Sequence, residues 1–469
     1  GVDVTARAPV VVVGGGITGL AAAQRLAETL GPDAVLLLEG APRLGGKIST
    51  EQVEGFVIEG GPDCFLASKP AGVELCRRLG LAERLRGTDP RYRRSYVKRG
   101  GRLHELPDGI TGLVPSRIGP LLTTPLLSLR GRARAALEIL VPPRRDGADE
   151  SIAEFARRRF GAEAYAWLIE PLLGGIFAGD GEALSLAATF PQLRDAEWTY
   201  GAILRLMLRQ RLKGGNGAKP LGFVTPERGL AELVAALEER LAGRTRTGAT
   251  VTAVRRLADE WRVELADGTS LAARAVIVAA PAFTAADLLA QTDPPLAAEL
   301  RGIPFVSTAT VSVAFSRAAI RRPLPGYGYV SPRAEGGSIV ACTWTSNKFP
   351  ARVPEDGVLL RFFVGRAGRE DIVAAGDHAL KALVRTELAA VHGITAEPAL
   401  WRIYRWPKGM PQYTVGHRER LARIEQRVST MPGLALAGAS YRGVGIPDCI
   451  ASGWAAADAV AVQLQGVGA

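Results

Sequence analysis

The apolar residues at the start of the chain form two short, uninterrupted runs, Val10–Val13 and Val35–Leu38. Runs of this length, rich in β-branched or aliphatic residues, predict strands that are buried on both faces of a parallel sheet. Between them, residues 20–26 are mostly alanine and leucine and predict a helix. The order strand, helix, strand indicates an α/β domain.

The pattern changes twice further along the chain. Residues 69–210 are mainly helical in character, and Ser151 with Glu154 forms a capping box that predicts a helix start. The run Gly214–Gly217 predicts a flexible break and a domain boundary. Strands follow at residues 249–254, 261–265 and 275–281, and period-two, β-rich runs at 306–315, 338–345 and 358–364 predict an antiparallel sheet.

The last seventy residues return to the α/β pattern. Residues 434–438 predict a strand, residues 439–446 a loop, and residues 447–464 a closing helix, for which Pro447 and Asp448 are favourable first-turn residues. The pattern predicts one discontinuous nucleotide-binding domain made of residues 1–68, 216–284 and 400–469. The two insertions, mainly helical at 69–215 and an antiparallel sheet at 285–399, would form the substrate region.

Composition narrows the class of protein. The chain has 469 residues, of which 47% are hydrophobic and 22% are charged. These values are expected for an ordered globular protein of two or three domains. The formal charge of +11 suits an acidic partner. The most basic stretch, residues 91–102, is interpreted as a solvated hairpin that turns at Gly100 and Gly101. No nucleic-acid-binding motif accompanies it, so binding to nucleic acid is not expected.

Cysteine and histidine are sparse and scattered. Cys64, Cys76, Cys342 and Cys449 show neither a C-x-x-C pair nor a histidine at ligand spacing, so we predict no disulfide and no metal site. The glycine-rich motif inside the apolar opening argues against a secretory signal. The expected compartment is therefore the cytoplasm, with the inner face of the cell membrane as an alternative.

A glycine motif joins the first strand to the first helix. Gly14 permits the turn, Gly16 allows a close approach to a pyrophosphate, and Gly19 lets the helix pack on the strand. Glu39, at the end of the second strand, is placed for a ribose hydroxyl and argues against a 2′-phosphate. The pattern Arg43-Leu44-Gly45-Gly46 that follows is typical of flavoproteins, so FAD is predicted in preference to NAD, and the arginine is available to a phosphate.

These features together predict the fold class. It is α/β, with an interrupted, Rossmann-like FAD-binding domain of the glutathione-reductase type, a mixed α+β substrate domain and a helical insertion. The N-terminus of the closing helix is expected to point at the pyrimidine edge of the flavin, where its dipole would stabilise negative charge.

Longer motifs carry a family resemblance that runs over nearly the whole chain. They are Gly14–Gly19, Glu39–Gly46, Gly60–Asp63, Gly174–Asp180, Ala341–Thr345, Arg405–Tyr413 and Gly438–Cys449. Together they resemble the porphyrinogen oxidase family, most closely the bacterial coproporphyrinogen III oxidases. The resemblance implies an FAD enzyme that removes six electrons from a porphyrinogen in three cycles, with hydride passing to the flavin N5, dioxygen as oxidant and hydrogen peroxide as product. A downstream ferrochelatase is the implied partner.

The resemblance also implies site residues, and no protein side chain is assigned as catalytic. The implied cofactor contacts are Gly14, Gly15, Gly16, Ile17, Thr18, Gly19, Glu39, Arg43, Gly46, Lys47, Gly61, Pro62, Asp63, Cys64, Val251, Trp406, Val444, Gly445 and Ile446. Lys69 matches a basic position that the family uses for a substrate propionate, and Gly175, Ile176 and Phe177 resemble the pocket wall.

Several interpretations stay open on the sequence alone. Phe177 fits a core position as well as a pocket wall, and Lys69 fits a solvated loop. His417 is better explained as a structural histidine than as a base, and Asp180 as a helix cap. Trp406 and Tyr413 fit either the flavin or the core, with the resemblance favouring the flavin for Trp406.

Three alternatives concern the activity itself. An amine oxidase or a carotenoid desaturase would keep the fold, but the motifs at 341–345 and 411–413 argue against both. A membrane-associated porphyrin carrier would use residues 120–129 with the arginines that follow to dock on anionic lipid, although burial of this segment is favoured. Coproporphyrinogen and protoporphyrinogen are not distinguished by the residues, and only the resemblance favours the former.

Overall fold

The computed structural model describes residues 8–107, 110–111, 114–115, 117–213 and 222–466. In chain order, its strands are β1 (Val10–Val13), β2 (Val35–Leu38), β3 (Thr50–Val53), β4 (Phe56–Glu59), β5 (Phe65–Leu66), β6 (Leu85–Gly87), β7 (Ser95–Arg99), β8 (Arg102–Glu105), β9 (Ile110–Thr111), β10 (Val114–Pro115), β11 (Phe223–Pro226), β12 (Thr245–Arg246), β13 (Val251–Leu257), β14 (Glu260–Leu265), β15 (Ser270–Ala273), β16 (Ala275–Val278), β17 (Phe305–Ser316), β18 (Gly328–Val330), β19 (Ile339–Trp344), β20 (Gly357–Val364), β21 (Leu400–Pro411) and β22 (Leu434–Leu436).

Its helices, in the same order, are α1 (Ile17–Leu30), α2 (Pro70–Arg78), α3 (Ile118–Thr123), α4 (Leu129–Ala136), α5 (Ile152–Phe160), α6 (Ala162–Ala164), α7 (Glu170–Phe177), α8 (Leu186–Thr189), α9 (Pro191–Tyr200), α10 (Ile203–Leu212), α11 (Ala231–Arg240), α12 (Ala282–Leu289), α13 (Pro294–Arg301), α14 (Thr345–Lys348), α15 (Asp371–Ala374), α16 (Asp377–Glu387), α17 (His417–Ser429) and α18 (Ile446–Gly466). Residues 165–169 and 388–392 are π-helical extensions.

A parallel sheet in the order β12-β2-β1-β16-β22 forms the nucleotide-binding core. Along β1, Val10 and Val12 pack with α1, α11 and α18 on one face. Val11 and Val13 pack on the other face with the sheet β13-β14-β15 and with α12. Because both faces are covered, the strands are apolar throughout, as the uninterrupted runs predict.

The second large sheet has the order β21-β17-β20-β19-β18-β7-β8 and is antiparallel except for the β18–β7 pair. Its central strands β17, β19 and β20 match the predicted runs to within one residue at each end. Helix α16 packs on one face of this sheet, in a cluster with Val311, Leu360 and Phe362. The predicted α/β class, with a parallel sheet, a second sheet and a helical insertion, is confirmed.

The second sheet draws strands from outside residues 285–399, which corrects one predicted assignment. Leu400–Pro411, placed by the sequence in the nucleotide-binding domain, pairs along β17 as an edge strand. The hairpin β7–β8 joins the opposite edge. Its turn at Gly100 and Gly101 is as predicted, and both residues have positive φ. The remaining domain boundaries stay predictions, and the break at Gly214–Gly217 lies outside the described residues.

Helices α3–α10 form the helical insertion around a core that includes Phe155, Leu173 and Phe177. The predicted capping box is present. Ser151 Oγ accepts the Glu154 N–H at 3.1 Å, and Glu154 Oε2 accepts the Ser151 N–H at 3.3 Å. Among the described helices, none combines the length and apolar character needed to cross a lipid bilayer.

Candidate cofactor and substrate site

The loop between β1 and α1 is shaped by two close backbone approaches. A Cβ on Gly14, whose φ is +112°, would lie 2.7 Å from the Ala279 oxygen, and one on Gly19 would lie 1.8 Å from the Gly14 oxygen. Gly16 caps α1, and a Cβ placed there would have no neighbour within 4 Å. The first N–H groups of this 14-residue helix have no partner within the helix. Such an arrangement fits a diphosphate.

Glu39 closes the other side of this loop. Its Oε1 accepts the Gly15 N–H at 3.1 Å, and its Oε2 accepts the Ala41 N–H at 3.1 Å. The carboxylate is thereby fixed beside the glycine loop, where a ribose hydroxyl could donate to it. Ile17 and Thr18 are buried in the first turn of α1, so their backbone is what they offer to a nucleotide at this position.

The loop after β2 differs in one respect from the sequence expectation. Arg43 donates through Nη1 to the Ile48 carbonyl at 2.9 Å and through Nη2 to the Gly46 carbonyl at 2.6 Å. Its guanidinium therefore holds the loop in shape, whereas the sequence suggested an arginine free for phosphate. Lys47 donates to the Gly409 carbonyl, which connects this loop to β21.

The Gly60–Cys64 turn is held by side chains from three adjacent strands of the second sheet. The Gly60 carbonyl accepts Thr310 Oγ1 and Trp406 Nε1, each at 2.9 Å. The Gly61 carbonyl accepts Arg361 Nη2. A Cβ on Gly61 would lie 1.8 Å from the Lys47 oxygen, so glycine is required there. The turn predicted to face the flavin, which connects β4 to β5, is thus fixed to the second large sheet.

Two cations surround the acidic residue of this turn. Arg361 Nη1 lies 3.7 Å from Asp63 Oδ2, and Lys348 Nζ lies 3.8 Å from Cys64 Sγ. Burial of Asp63 works against its ionisation, but Lys348 and Arg361 outweigh this effect and lower its pKa to about 2. The turn therefore carries a negative charge that is balanced by Lys348 of α14 and Arg361 of β20. Pro62, between these residues, is half-buried.

The loop before α18 brings Val444, Gly445 and Ile446 to the same region. Ile446 begins the helix, and the Cys449 N–H donates to the Gly445 carbonyl at 2.9 Å. Gly453 lets α18 pack on α1, because a Cβ there would lie 2.4 Å from the Thr18 oxygen. The N-termini of two helices therefore lie on neighbouring elements of the nucleotide-binding core.

Val251 lies near the loop that follows Glu39. It begins β13 next to Thr250, whose Oγ1 would be 3.0 Å from a Cβ on Gly40, immediately after Glu39. Several of the predicted cofactor residues are thus in contact with one another. These contacts run from the glycine loop through Lys47 to the turn and Trp406.

Lys69 is the N-cap residue of α2, and its ammonium is already paired. Its Nζ lies 2.8 Å from Asp448 Oδ2 in the first turn of α18. The side chains of Lys69 and Asp448 are 48% and 30% exposed, so solvent and a carboxylate ligand can reach both. The pair places a cation beside the N-terminus of the closing helix.

The three residues of the predicted pocket wall occupy α7 differently. Phe177 is 6% exposed and packs edge-on against Phe190 with ring centroids 6.1 Å apart, which makes it a core residue. Ile176 is 40% exposed. A Cβ on Gly175 would lie 3.7 Å from Val330. Val444 packs against the cluster that contains Phe177, so α7 and the loop before α18 are neighbours.

His417 and Asp180, two polar residues with more than one possible role on the sequence alone, make hydrogen bonds that stabilise the fold. His417 is 3% exposed, its Nε2 bonds to the Tyr441 carbonyl at 2.7 Å, and its ring stacks on Tyr413 at 4.4 Å. Asp180 accepts the Glu182 N–H within a turn, and the helix α8 that follows is capped by Ser185. The cap expected of Asp180 is therefore provided by a different residue.

Thr310, Lys348 and Arg361 were not found by sequence reasoning. They lie far along the chain from the turn that they contact, on elements without a local motif. One signal was available for Arg361, since it is a lone charge within the apolar run of β20. A charged residue in a buried strand requires partners, and these were provided by a distant turn.

The sequence of this chain is similar to those of a known family and of named relatives. Residues 17–461 match the family described as flavin containing amine oxidoreductase. The chain is 39% identical over 457 residues to the coproporphyrinogen III oxidase of Bacillus subtilis, covering 95% of this chain and 96% of that one. It is 34% identical over 480 residues to the protoporphyrinogen oxidase of Bos taurus, covering 96% and 97%.

Solved structures show the same architecture. A crystal structure of an Exiguobacterium sp. protein superposes with a TM-score of 0.86 at 34% identity, covering 97% of this chain and 99% of that one. Reduced UDP-galactopyranose mutase superposes with a TM-score of 0.72 at 17% identity, covering 98% and 96%, and shows the fold alone. The cofactor is FAD, in agreement with the glycine loop and Glu39.

Proposed function

Because the chain belongs to the flavin containing amine oxidoreductase family, and within it to the porphyrinogen oxidases, we propose that it oxidises coproporphyrinogen III to coproporphyrin III. Dioxygen would accept the electrons and hydrogen peroxide would be released, in the synthesis of heme. The names of the relatives support a porphyrinogen as substrate, with coproporphyrinogen named for the Bacillus subtilis relative.

The chain provides binding and orientation for this reaction. FAD supplies the chemistry when bound, by accepting hydride from a bridging carbon of the substrate. The glycine loop would hold the diphosphate and Glu39 the ribose. The proposed cofactor contacts remain Gly14–Gly19, Glu39, Arg43, Gly46, Lys47, Gly61–Cys64, Val251, Trp406 and Val444–Ile446, with Arg43 acting through the loop that it shapes.

The N-terminus of α18, a helix of 21 residues, would stabilise negative charge on the flavin ring. The first N–H groups of such a helix have no partner within it, and its dipole stabilises nearby negative charge. The Gly60–Cys64 turn would fix the ring from the other side, because Thr310, Trp406 and Arg361 hold it on the second sheet.

The Lys69–Asp448 pair is the observation that carries the choice of substrate. Coproporphyrinogen has four carboxylates, and a partly exposed ammonium at the start of α2 can exchange Asp448 for a propionate. Gly175 and the exposed Ile176 on α7 would provide the flat apolar wall. Phe177 would support this wall from the core.

Reaction stoichiometry tests the proposal. The FAD-loaded protein is mixed with coproporphyrinogen III in air, and porphyrin fluorescence is followed together with peroxide. Removal of six electrons in three cycles predicts three molecules of peroxide for each porphyrin formed. Porphyrin formation at the rate of the protein-free control would refute the proposal, and turnover without peroxide would refute the role of dioxygen as acceptor.

Protoporphyrinogen IX is the second candidate substrate, because the Bos taurus relative is named for it. It carries vinyl groups in place of two propionates, so fewer carboxylates are available to Lys69. The product in either case is a free porphyrin, which a ferrochelatase would consume by inserting iron.

Peripheral membrane contact is favoured by one surface. Leu126 and Leu127 are buried, as the sequence analysis expected, but Leu129 is 80% and Leu140 72% exposed at the two ends of α4 and the turn after it. Arginines lie between these leucines along the chain. Flotation with vesicles of anionic lipid tests the contact: recovery of the protein with the vesicles supports it, and its absence from them refutes it.

A further inference from the structure

Three buried polar groups between the β3–β4 hairpin and the second large sheet lack hydrogen-bond partners. They are Glu59 Oε2, Ser312 Oγ and Arg361 Nε. The residues are 4%, 2% and 4% exposed, so bulk water does not satisfy them. A buried polar group without a partner is destabilising, and three together call for an explanation.

The residues that carry these three groups line one small cavity. Its volume is about 10 Å³, and Glu59, Ser312 and Arg361 all line it, together with Asp63 and Arg352. Ser312 on β17 pairs directly with Arg361 on β20, so their side chains leave the same face of the sheet next to each other. Glu59 reaches the cavity from the end of β4, opposite the sheet.

The hydrogen bonds of Glu59 show why its Oε2 has no partner. Oε1 accepts Thr50 Oγ1 at 2.6 Å, Arg352 Nη1 at 3.2 Å and the Leu230 N–H at 3.3 Å. These three donors all bond to the same oxygen, Oε1. The two terminal nitrogens of Arg361 also have partners, since Nη2 donates to the Gly61 carbonyl and Nη1 lies near Asp63. Its Nε has none.

We propose that this cavity is a binding site for one water molecule that bridges Glu59, Ser312 and Arg361. A cavity of about 10–15 Å³ holds one water, provided that two to four polar partners surround it. The hydrogen bonds balance: the water accepts from Arg361 Nε–H and donates to Glu59 Oε2 and Ser312 Oγ. A bound cation is disfavoured by the guanidinium, and an anion by the two carboxylates.

The site goes beyond the oxidation chemistry because it joins the β3–β4 hairpin to the second large sheet. Glu59 precedes the Gly60–Cys64 turn, and Arg361 holds that turn through Gly61. By engaging Nε, the water fixes the plane of the guanidinium whose other nitrogens bind the turn. The inference rests on these contacts alone and stands whichever porphyrinogen the enzyme prefers.

A high-resolution crystal structure of the FAD-loaded protein tests the site directly. We expect one isolated density peak at about 2.7–3.2 Å from each of the three atoms. Density showing that Ser312 bonds directly to Glu59, or that the cavity contains no peak, would overturn the proposal.

Two substitutions at one position give an independent test in solution. Ser312→Ala leaves room for the water, whereas Ser312→Val displaces it and leaves Glu59 Oε2 and Arg361 Nε unpaired. We expect Ser312→Val to melt about 3 °C or more below Ser312→Ala. Valine is the better strand former and would fill a dry cavity. A melting temperature of Ser312→Val equal to or above that of Ser312→Ala would therefore refute a bound water.

Discussion

Lys69 Nζ lies 2.8 Å from Asp448 Oδ2, which joins the first residue before α2 to the first turn of α18. The pair is partly exposed and consists of one ammonium and one carboxylate. Such pairs contribute little to stability, so the ammonium can be transferred to another carboxylate at small cost. A substrate propionate is the ligand that we expect to make this exchange.

This exchange predicts a substrate-dependent effect of Lys69→Ala. We expect the KM for coproporphyrinogen III to rise about tenfold and the KM for protoporphyrinogen IX about threefold or less, because the former presents more carboxylates. Steady-state kinetics with both substrates checks this. Lys69→Arg keeps the charge and should stay close to wild type, and Lys381→Ala, over Trp401, is the control. Equal increases for both substrates would remove Lys69 from selectivity.

Gly61→Ala should weaken FAD binding about tenfold or more, because the backbone of Lys47 leaves no room for a side chain at this position. The added Cβ would lie 1.8 Å from the Lys47 oxygen, a backbone atom that cannot move without displacing the loop around it. Titration of the apoprotein with FAD, followed by flavin fluorescence, measures the dissociation constant. Gly87→Ala is the matched control, because a Cβ there would meet nothing within 4 Å. If the two variants bind FAD equally well, the turn does not face the cofactor.

Thr310 and Trp406 donate to the same carbonyl, so their effects should be coupled. We expect Thr310→Val and Trp406→Phe each to lower the melting temperature of the FAD-loaded protein by about 2–4 °C. The double variant should lose more than the sum, because the Gly60 carbonyl then has neither donor. Thr252→Val, at an exposed position of β13, is the control. Strict additivity would contradict a shared function of the two side chains.

His392 should make stability depend on pH. Burial lowers its pKa to about 4, and its Nε2 accepts Trp344 Nε1 at 3.0 Å, which requires the neutral ring. Because the unfolded chain binds the proton more readily, this stability is complete above about pH 6.5. It is lost as the pH falls from there towards 4, by roughly 3 kcal/mol at most.

Denaturant titrations between pH 4 and 7 measure this slope in wild type and His392→Gln, which keeps an acceptor for Trp344. Burial raises the pKa of Glu59 to about 7, which gives a slope of opposite sign, so the difference between the two proteins is the informative quantity. His378→Gln, at an exposed position, should match wild type. Parallel curves for wild type and His392→Gln would exclude a contribution of His392.

The sequence predicts where strands lie along the chain better than it predicts which strands pair with each other. The runs at 306–315 and 358–364 give β17 and β20 because a buried strand is a local pattern of apolar residues. The sequence places residues 400–469 in the nucleotide-binding domain, whereas Leu400–Pro411 pairs with β17, since nothing in a strand's own residues states which distant strand it pairs with. The same reason explains why the glycine loop was found and Thr310 and Arg361 were not.

Substrate preference is the most direct test of the whole account. The measurement is kcat/KM of the FAD-loaded protein for coproporphyrinogen III and protoporphyrinogen IX in air, with peroxide recorded alongside porphyrin. The account predicts turnover of both, with a value for coproporphyrinogen III higher by about tenfold or more. A preference for protoporphyrinogen IX would contradict the assignment of Lys69, and turnover of neither would contradict the proposed function.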